Sequence, residues 1–268
     1  MKLIIQSDDY GITRAQARGC IYGIEHGVVK NTGFFSNMPW AEEVFEWIKP
    51  HLHDIAFGID LNASTGPSLL PHDKVPTLTH ENGMFLGSRE NRALDTDEND
   101  HDHLSGCAQE LYDEFDAQIQ KYISLVGHKP DYIHGHAYGT KTTAKVSQEL
   151  AKKYGCIWTS TLMQRNDIAP SGMGWYAFDG SLDSQVKEDP IHYLTEDKSK
   201  MLSSGKEYGY VVLHTGYVDA ELFELSSFNI CRAKDLECVC SEEIKQWIKE
   251  NQIECISMKD VPSDWIEK

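Results

Sequence analysis

Short apolar runs alternate with stripes of apolar residues at helical spacing along most of the chain. Leu3-Ile4-Ile5 is a run followed by polar residues and Gly11, the pattern of a buried strand entering a turn. Thr13 can cap a helix that runs to about Gly27, with Ala17, Cys20, Ile21 and Ile24 on one face. Residues 28–35 read as a second strand, 41–48 as a second helix, and 55–61 as a third strand with an acid near its end. From 62 to about 104 the periodicity disappears and proline, glycine and an acidic stretch take over. An irregular loop of that length in a compact domain is expected to be functional or mobile. Ser105 opens a strong helix in which Leu111, Phe115, Ile119 and Ile123 recur every four residues. Beyond it, the pattern predicts strands at 131–136, 156–162, 210–214 and 253–257, helices at 142–154 and 241–250, and a glycine-rich loop around Gly172 and Gly174.

Strand–helix alternation implies a parallel sheet covered by helices, either open or closed into a barrel. A chain of 268 residues with no internal repeat and no linker fits one α/β domain spanning 1–268. An apolar fraction of 40% and a charged fraction of 25% are ordinary for a globular protein. The net charge of -17 argues against nucleic-acid or anionic-membrane partners, because their phosphates would be repelled. No apolar run is long enough to cross a bilayer, and the N-terminus turns polar too soon for a signal peptide, so the expected location is cytoplasmic. Seven cysteines without CxxC spacing fit reduced, mostly buried thiols. Cys238-Val239-Cys240 is the only close pair and lacks the second pair a metal or redox site would need.

Candidate chemistry gathers at strand ends. Asp8 and Asp9 follow the first strand, Asp60 ends the third, His134 and His136 close another, and His214 closes a later one. In parallel α/β folds these ends share one face, where active sites form. Each part has a bland alternative: an acidic turn, a core histidine, a helix cap. Their convergence is harder to assign to packing, because unpaired buried charge is costly. Asp9, Asp60 and His136 would make a two-carboxylate, one-histidine set for a divalent metal, either zinc or a harder ion such as magnesium or manganese. Asp8 would then serve as general base, and His214 could protonate a leaving amine. Those roles describe amide hydrolysis.

The motifs carrying these residues resemble the YdjC-like carbohydrate deacetylases, which include chitooligosaccharide deacetylases. Ser7-Asp8-Asp9-Tyr10-Gly11 is similar to the family's Asp-Asp-Phe-Gly turn, and Thr32 to Pro39 to its second strand. Glu114 to Ile119 falls in the long central helix, Pro130 to His136 at the Asp-Ser-His-Gln-His strand, and Leu213 to Asp219 at the His-Pro-Gly-Tyr-x-Asp segment. The resemblance runs almost end to end. It implies a distorted (β/α) barrel of the TIM-barrel type, one divalent metal, and removal of an N-acetyl group from an amino sugar. It also implies Asp8 as base, Asp9 and His136 as ligands, His214 near the leaving group, and Arg232 orienting carboxylates or substrate.

Two positions depart from the family. Asp60 stands where the family has a metal-binding histidine, and His134 stands where it has aspartate. His134 is therefore an alternative ligand or a partner for Asp60. The expected partner is a small carbohydrate, and the sequence leaves a homodimer open. Two other readings remain: a sugar-binding or regulatory relative without activity, and another metal-dependent hydrolase or lyase on the same scaffold.

Overall fold

The computed structural model describes residues 1–96, 102–176 and 179–268. Eight parallel strands form its centre: β1 (Lys2–Tyr10), β2 (Asn31–Phe34), β3 (Ala56–Leu61), β4 (Tyr132–Gly135), β5 (Ile157–Trp158), β6 (Ile168–Pro170), β7 (Tyr208–Leu213) and β8 (Glu254–Ile256). Their order is β5-β4-β3-β2-β1-β7-β6, with β8 paired to the first residues of β1 below β2. Ile4, Ala56, Tyr132, Ile157, Ile168, Tyr210 and Ile256, from seven different strands, pack into one buried cluster. Side chains from β5 and β6, the two ends of the strand order, meet only if the sheet curls. The result is a distorted barrel, left open between those edges, as the YdjC-like resemblance implies.

Helices cover the outside. They are α1 (Arg14–His26), α2 (Ala41–Ile48), α3 (Ser88–Leu94), α4 (Ala108–Val126), α5 (Lys141–Tyr154), α6 (Thr159–Leu162), α7 (Leu182–Gln185), α8 (Pro190–Thr195), α9 (Ala220–Leu225), α10 (Ile230–Cys240) and α11 (Glu242–Glu250). Thr13 caps α1 by accepting the Gln16 N–H, and Ser241 caps α11 by accepting the Ile244 N–H. The α4 stripe of Leu111, Phe115 and Ile119 is buried against Phe57 and its neighbours.

Three expectations change. The strand predicted over 156–162 stops at Trp158, and Thr159 turns the chain into α6. The helix predicted from Ser105 begins as a 3-10 turn and becomes α-helical only at Ala108. Within the predicted irregular loop, α3 forms, and the segment leading to it is tied to α4 by buried side chains. Glu114 accepts the Leu69 and Leu70 N–H groups at 3.0 and 2.9 Å, and Gln118 brackets Asn62 through its N–H and carbonyl. Those bonds replace the sheet or helix pairing that this segment lacks. His101, which the sequence places in the acidic stretch of that loop as a solvent-facing or lid residue, lies outside the described residues.

Candidate active site

β1 delivers two adjacent carboxylates to different places because its backbone kinks between them. Asp9 takes a positive φ of 65°, and the register with β2 shifts between Ser7 and Tyr10. A non-glycine residue pays strain in that region and needs support. Asp60 supplies it: its Oδ2 accepts the Asp9 N–H at 2.6 Å. To reach β1 from β3, the Asp60 carboxylate lies across the intervening β2 at Gly33. A Cβ on Gly33 would sit 1.8 Å from Asp60 Oδ1, so only glycine leaves room.

Asp8 turns into the barrel. Gln6 Nε2 donates to its Oδ1, and Gln6 is itself fixed by the Tyr210 hydroxyl at 2.7 Å. His134 Nε2 lies 3.1 Å from Asp8 Oδ2, while His134 Nδ1 meets the Thr159 hydroxyl at 2.5 Å. Burial alone would lower the His134 pKa, but Asp8 outweighs it and raises the ring to about 9. His134 thus pairs with Asp8; Asp60 is its backbone register partner across β3 and β4. Burial, then the neighbouring Asp8 charge, pushes Asp60 well above the usual carboxylate range.

Asp9 meets two nitrogen partners. His136 Nδ1 is 2.7 Å from its Oδ1, and Arg232 Nη2 donates to Oδ2 at 2.7 Å. Burial opposes ionisation of Asp9, but His136 and Arg232 overcome it and hold the carboxyl well below its ordinary range. His136 is placed by the Thr65 hydroxyl at 3.2 Å and by the edge of Phe35, 4.7 Å between ring centres. Arg232 is fully buried on α10, with Nε donating to the Phe228 carbonyl.

His214, just beyond β7, stands apart. Its Nδ1 meets the Tyr176 hydroxyl at 3.0 Å, and its backbone N–H donates to Asp235 at 2.7 Å. Burial pushes its pKa down to about 4, despite the Asp9 charge nearby. The structure therefore brings all seven predicted residues to one end of the barrel. Asp8, Asp9, Asp60, His134, His136 and Arg232 are joined by direct contacts, and His214 is joined to them through the electrostatic field.

Sequence reasoning missed Tyr176 and Asp235. A signal for the second was available: Arg232, Asp235, Leu236 and Val239 follow the i, i+3, i+4, i+7 spacing of a buried helix face. Two opposite charges on that face mark a polar site behind the core. Cys238 and Cys240 on the same helix are free thiols.

The family model for YdjC-like proteins matches residues 2–250. The chain belongs to the YdjC-like family. Relatives in this family include carbohydrate deacetylase 2 of Listeria innocua serovar 6a, 27% identical over 266 residues, covering 98% of this chain and 99% of the relative. The carbohydrate deacetylase of Thermoanaerobacter pseudethanolicus is also 27% identical, over 94% of this chain and 95% of its own. A solved protein of Enterococcus faecalis V583, provisionally described as a cellobiose-phosphate cleavage protein, superposes with a TM-score of 0.78 at 23% identity over 96% of this chain and 97% of its own. That likeness supports the shared fold.

The divalent metal implied by the YdjC-like resemblance can be tested against the donors. Asp9 Oδ1 and His136 Nδ1 are close enough to serve one ion, or to share one proton. Asp60 does not join them: one oxygen holds the Asp9 amide and the other lies over Gly33. Among the described residues, no three His, Cys, Asp or Glu side chains form a metal-holding group. As arranged, the set is one donor short of the three protein ligands usual in a catalytic zinc centre and does not fit it.

Proposed function

We propose that the chain hydrolyses the N-acetyl amide of an N-acetylated amino sugar or short chitooligosaccharide and releases acetate. The observation that carries this reading is the placement at one strand-end face of a buried, supported carboxylate, Asp8, and an imidazole, His214, whose pKa burial pushes down to about 4. The names of its relatives supply the substrate class. Asp8 takes one proton from the attacking water, with His134 balancing its charge. His214, neutral at rest, takes the second proton of that water as the tetrahedral intermediate collapses and passes it to the departing nitrogen. The products are acetate, the free amine and a proton on Asp8. Asp9 and Arg232 form the rigid ion pair behind these groups, and Asp60 fixes the kink that separates Asp8 from Asp9.

Acetate release from a panel of N-acetylated mono- and oligosaccharides, with and without added zinc or magnesium, tests the reading. Activity in the wild type and its loss in Asp8→Asn and His214→Gln are expected. No release across the panel under either condition would sink it. A second reading, a sugar-binding relative without turnover, is favoured by Asp60 standing in place of the family's histidine. Sugar binding by calorimetry without acetate release would select it.

A further inference from the structure

We infer that Tyr176 is a positioning residue for His214, holding its imidazole in the tautomer protonated on Nδ1 and leaving the Nε2 lone pair for the reaction. The inference rests on the relay assigned to His214 above. The Tyr176 hydroxyl lies between two groups, 2.5 Å from Asp235 Oδ2 and 3.0 Å from His214 Nδ1. A phenol has one proton to donate and a lone pair to accept with. Two groups that can only donate reach Asp235, the His214 backbone N–H at 2.7 Å on Oδ2 and the Trp175 indole N–H at 3.2 Å on Oδ1. Burial pushes the Asp235 carboxyl up to about 7, but the two N–H donors, one on each oxygen, favour its ionised form, which can only accept. The phenol proton therefore points to Asp235, and the phenol oxygen is left to accept from His214. The imidazole proton must sit on Nδ1.

Asp235 Oδ2 consequently fixes His214 twice, through its backbone amide directly and through its ring by way of Tyr176. The arrangement is closely packed. Tyr176 is buried, and Phe228 packs edge-on against both rings, 4.5 Å from Tyr176 and 5.0 Å from His214 between centroids. Among the described residues no hydrogen bond reaches His214 Nε2, so that nitrogen keeps its lone pair for a substrate or water. Without the phenol, Nδ1 loses its acceptor, and the ring is free to carry its proton on Nε2, where it blocks the proton transfer.

Nitrogen-15 NMR of the full-length protein labelled at histidine reads the tautomer directly, with His214→Gln used to assign the signal. The wild type is expected to show Nδ1 protonated and Nε2 bare at neutral pH. Tyr176→Phe should shift His214 toward the Nε2-protonated form. It should also lower kcat by roughly 10–100-fold, the usual loss when the partner that orients a histidine is removed, while KM stays nearly constant. Trp175→Phe, which removes a donor from the other Asp235 oxygen, should leave the tautomer unchanged. A wild-type ring protonated on Nε2, or a tautomer unmoved in Tyr176→Phe, overturns the inference. Should Tyr176→Phe fail to fold, the wild-type spectrum decides alone. A wild type that releases no acetate defeats the proposed function, but the NMR measurement still tests the assignment of Tyr176.

Discussion

His134 and His214 occupy the same end of the same barrel, yet their surroundings drive them in opposite directions, to about 9 and to about 4. On the β1–β4 side, His134 touches Asp8, and His136 and Arg232 touch Asp9, so each of these rings and the guanidinium meets a carboxylate directly. On the β7 side, His214 meets a phenol and a backbone-anchored carboxylate, and burial dominates. Both are strand-end histidines. What separates them is whether an anion touches the ring or is held one residue away behind Tyr176. The first wall keeps its groups in contact with opposite charge, and the second keeps its imidazole away from direct contact with a carboxylate.

Breaking the charged wall should have the largest effect. Asp9→Ala leaves Arg232 buried without its carboxylate and is expected to cost about 3–5 kcal/mol in urea unfolding. Gly33→Ala attacks the same wall without touching a charge. Its methyl group must displace the Asp60 carboxylate, and the expected loss is about 1–3 kcal/mol by the same measurement. If Gly33→Ala proves neutral, Asp60 is not held across β2. Tyr176→Phe on the other wall removes a hydroxyl from a buried carboxyl and an imidazole and should cost about 1–3 kcal/mol. A cost equal to that of Asp9→Ala would erase the distinction between the walls.

The mildest test is acid titration. His214 has a folded pKa below its unfolded value, so its contribution to stability is present above about 6.5 and is lost as pH falls through about 4. The pH dependence of unfolding for His214→Gln should lack that component between pH 6.5 and 4. An unchanged profile would show that the ring is not held neutral.

The face on which the chemistry gathers was legible because parallel strands put their C-terminal ends together, and Asp8, Asp9, Asp60, His134, His136 and His214 all fall at such ends. The partner of His134 was not. Asp8, Asp60 and His134 all lie at this barrel end, and which pair touches depends on the kink at Asp9 and on side-chain reach, neither of which has a sequence period. The predicted strand through Leu162 failed because threonine suits a strand and a helix start alike, and β6, three residues long, offers too little pattern to detect. Tyr176 sits in an aperiodic loop, so only the packed structure connects it to Asp235.

The Asp60 carboxylate filling the space above Gly33 also couples these two positions energetically. A side chain at 33 and a carboxylate lying across it are mutually exclusive, so their substitutions cannot be additive. Aspartate at 60 reaches the Asp9 amide only while glycine stands at 33, and a side chain at 33 releases that latch. The two positions therefore behave as one unit, and the effect of a change at either depends on what stands at the other.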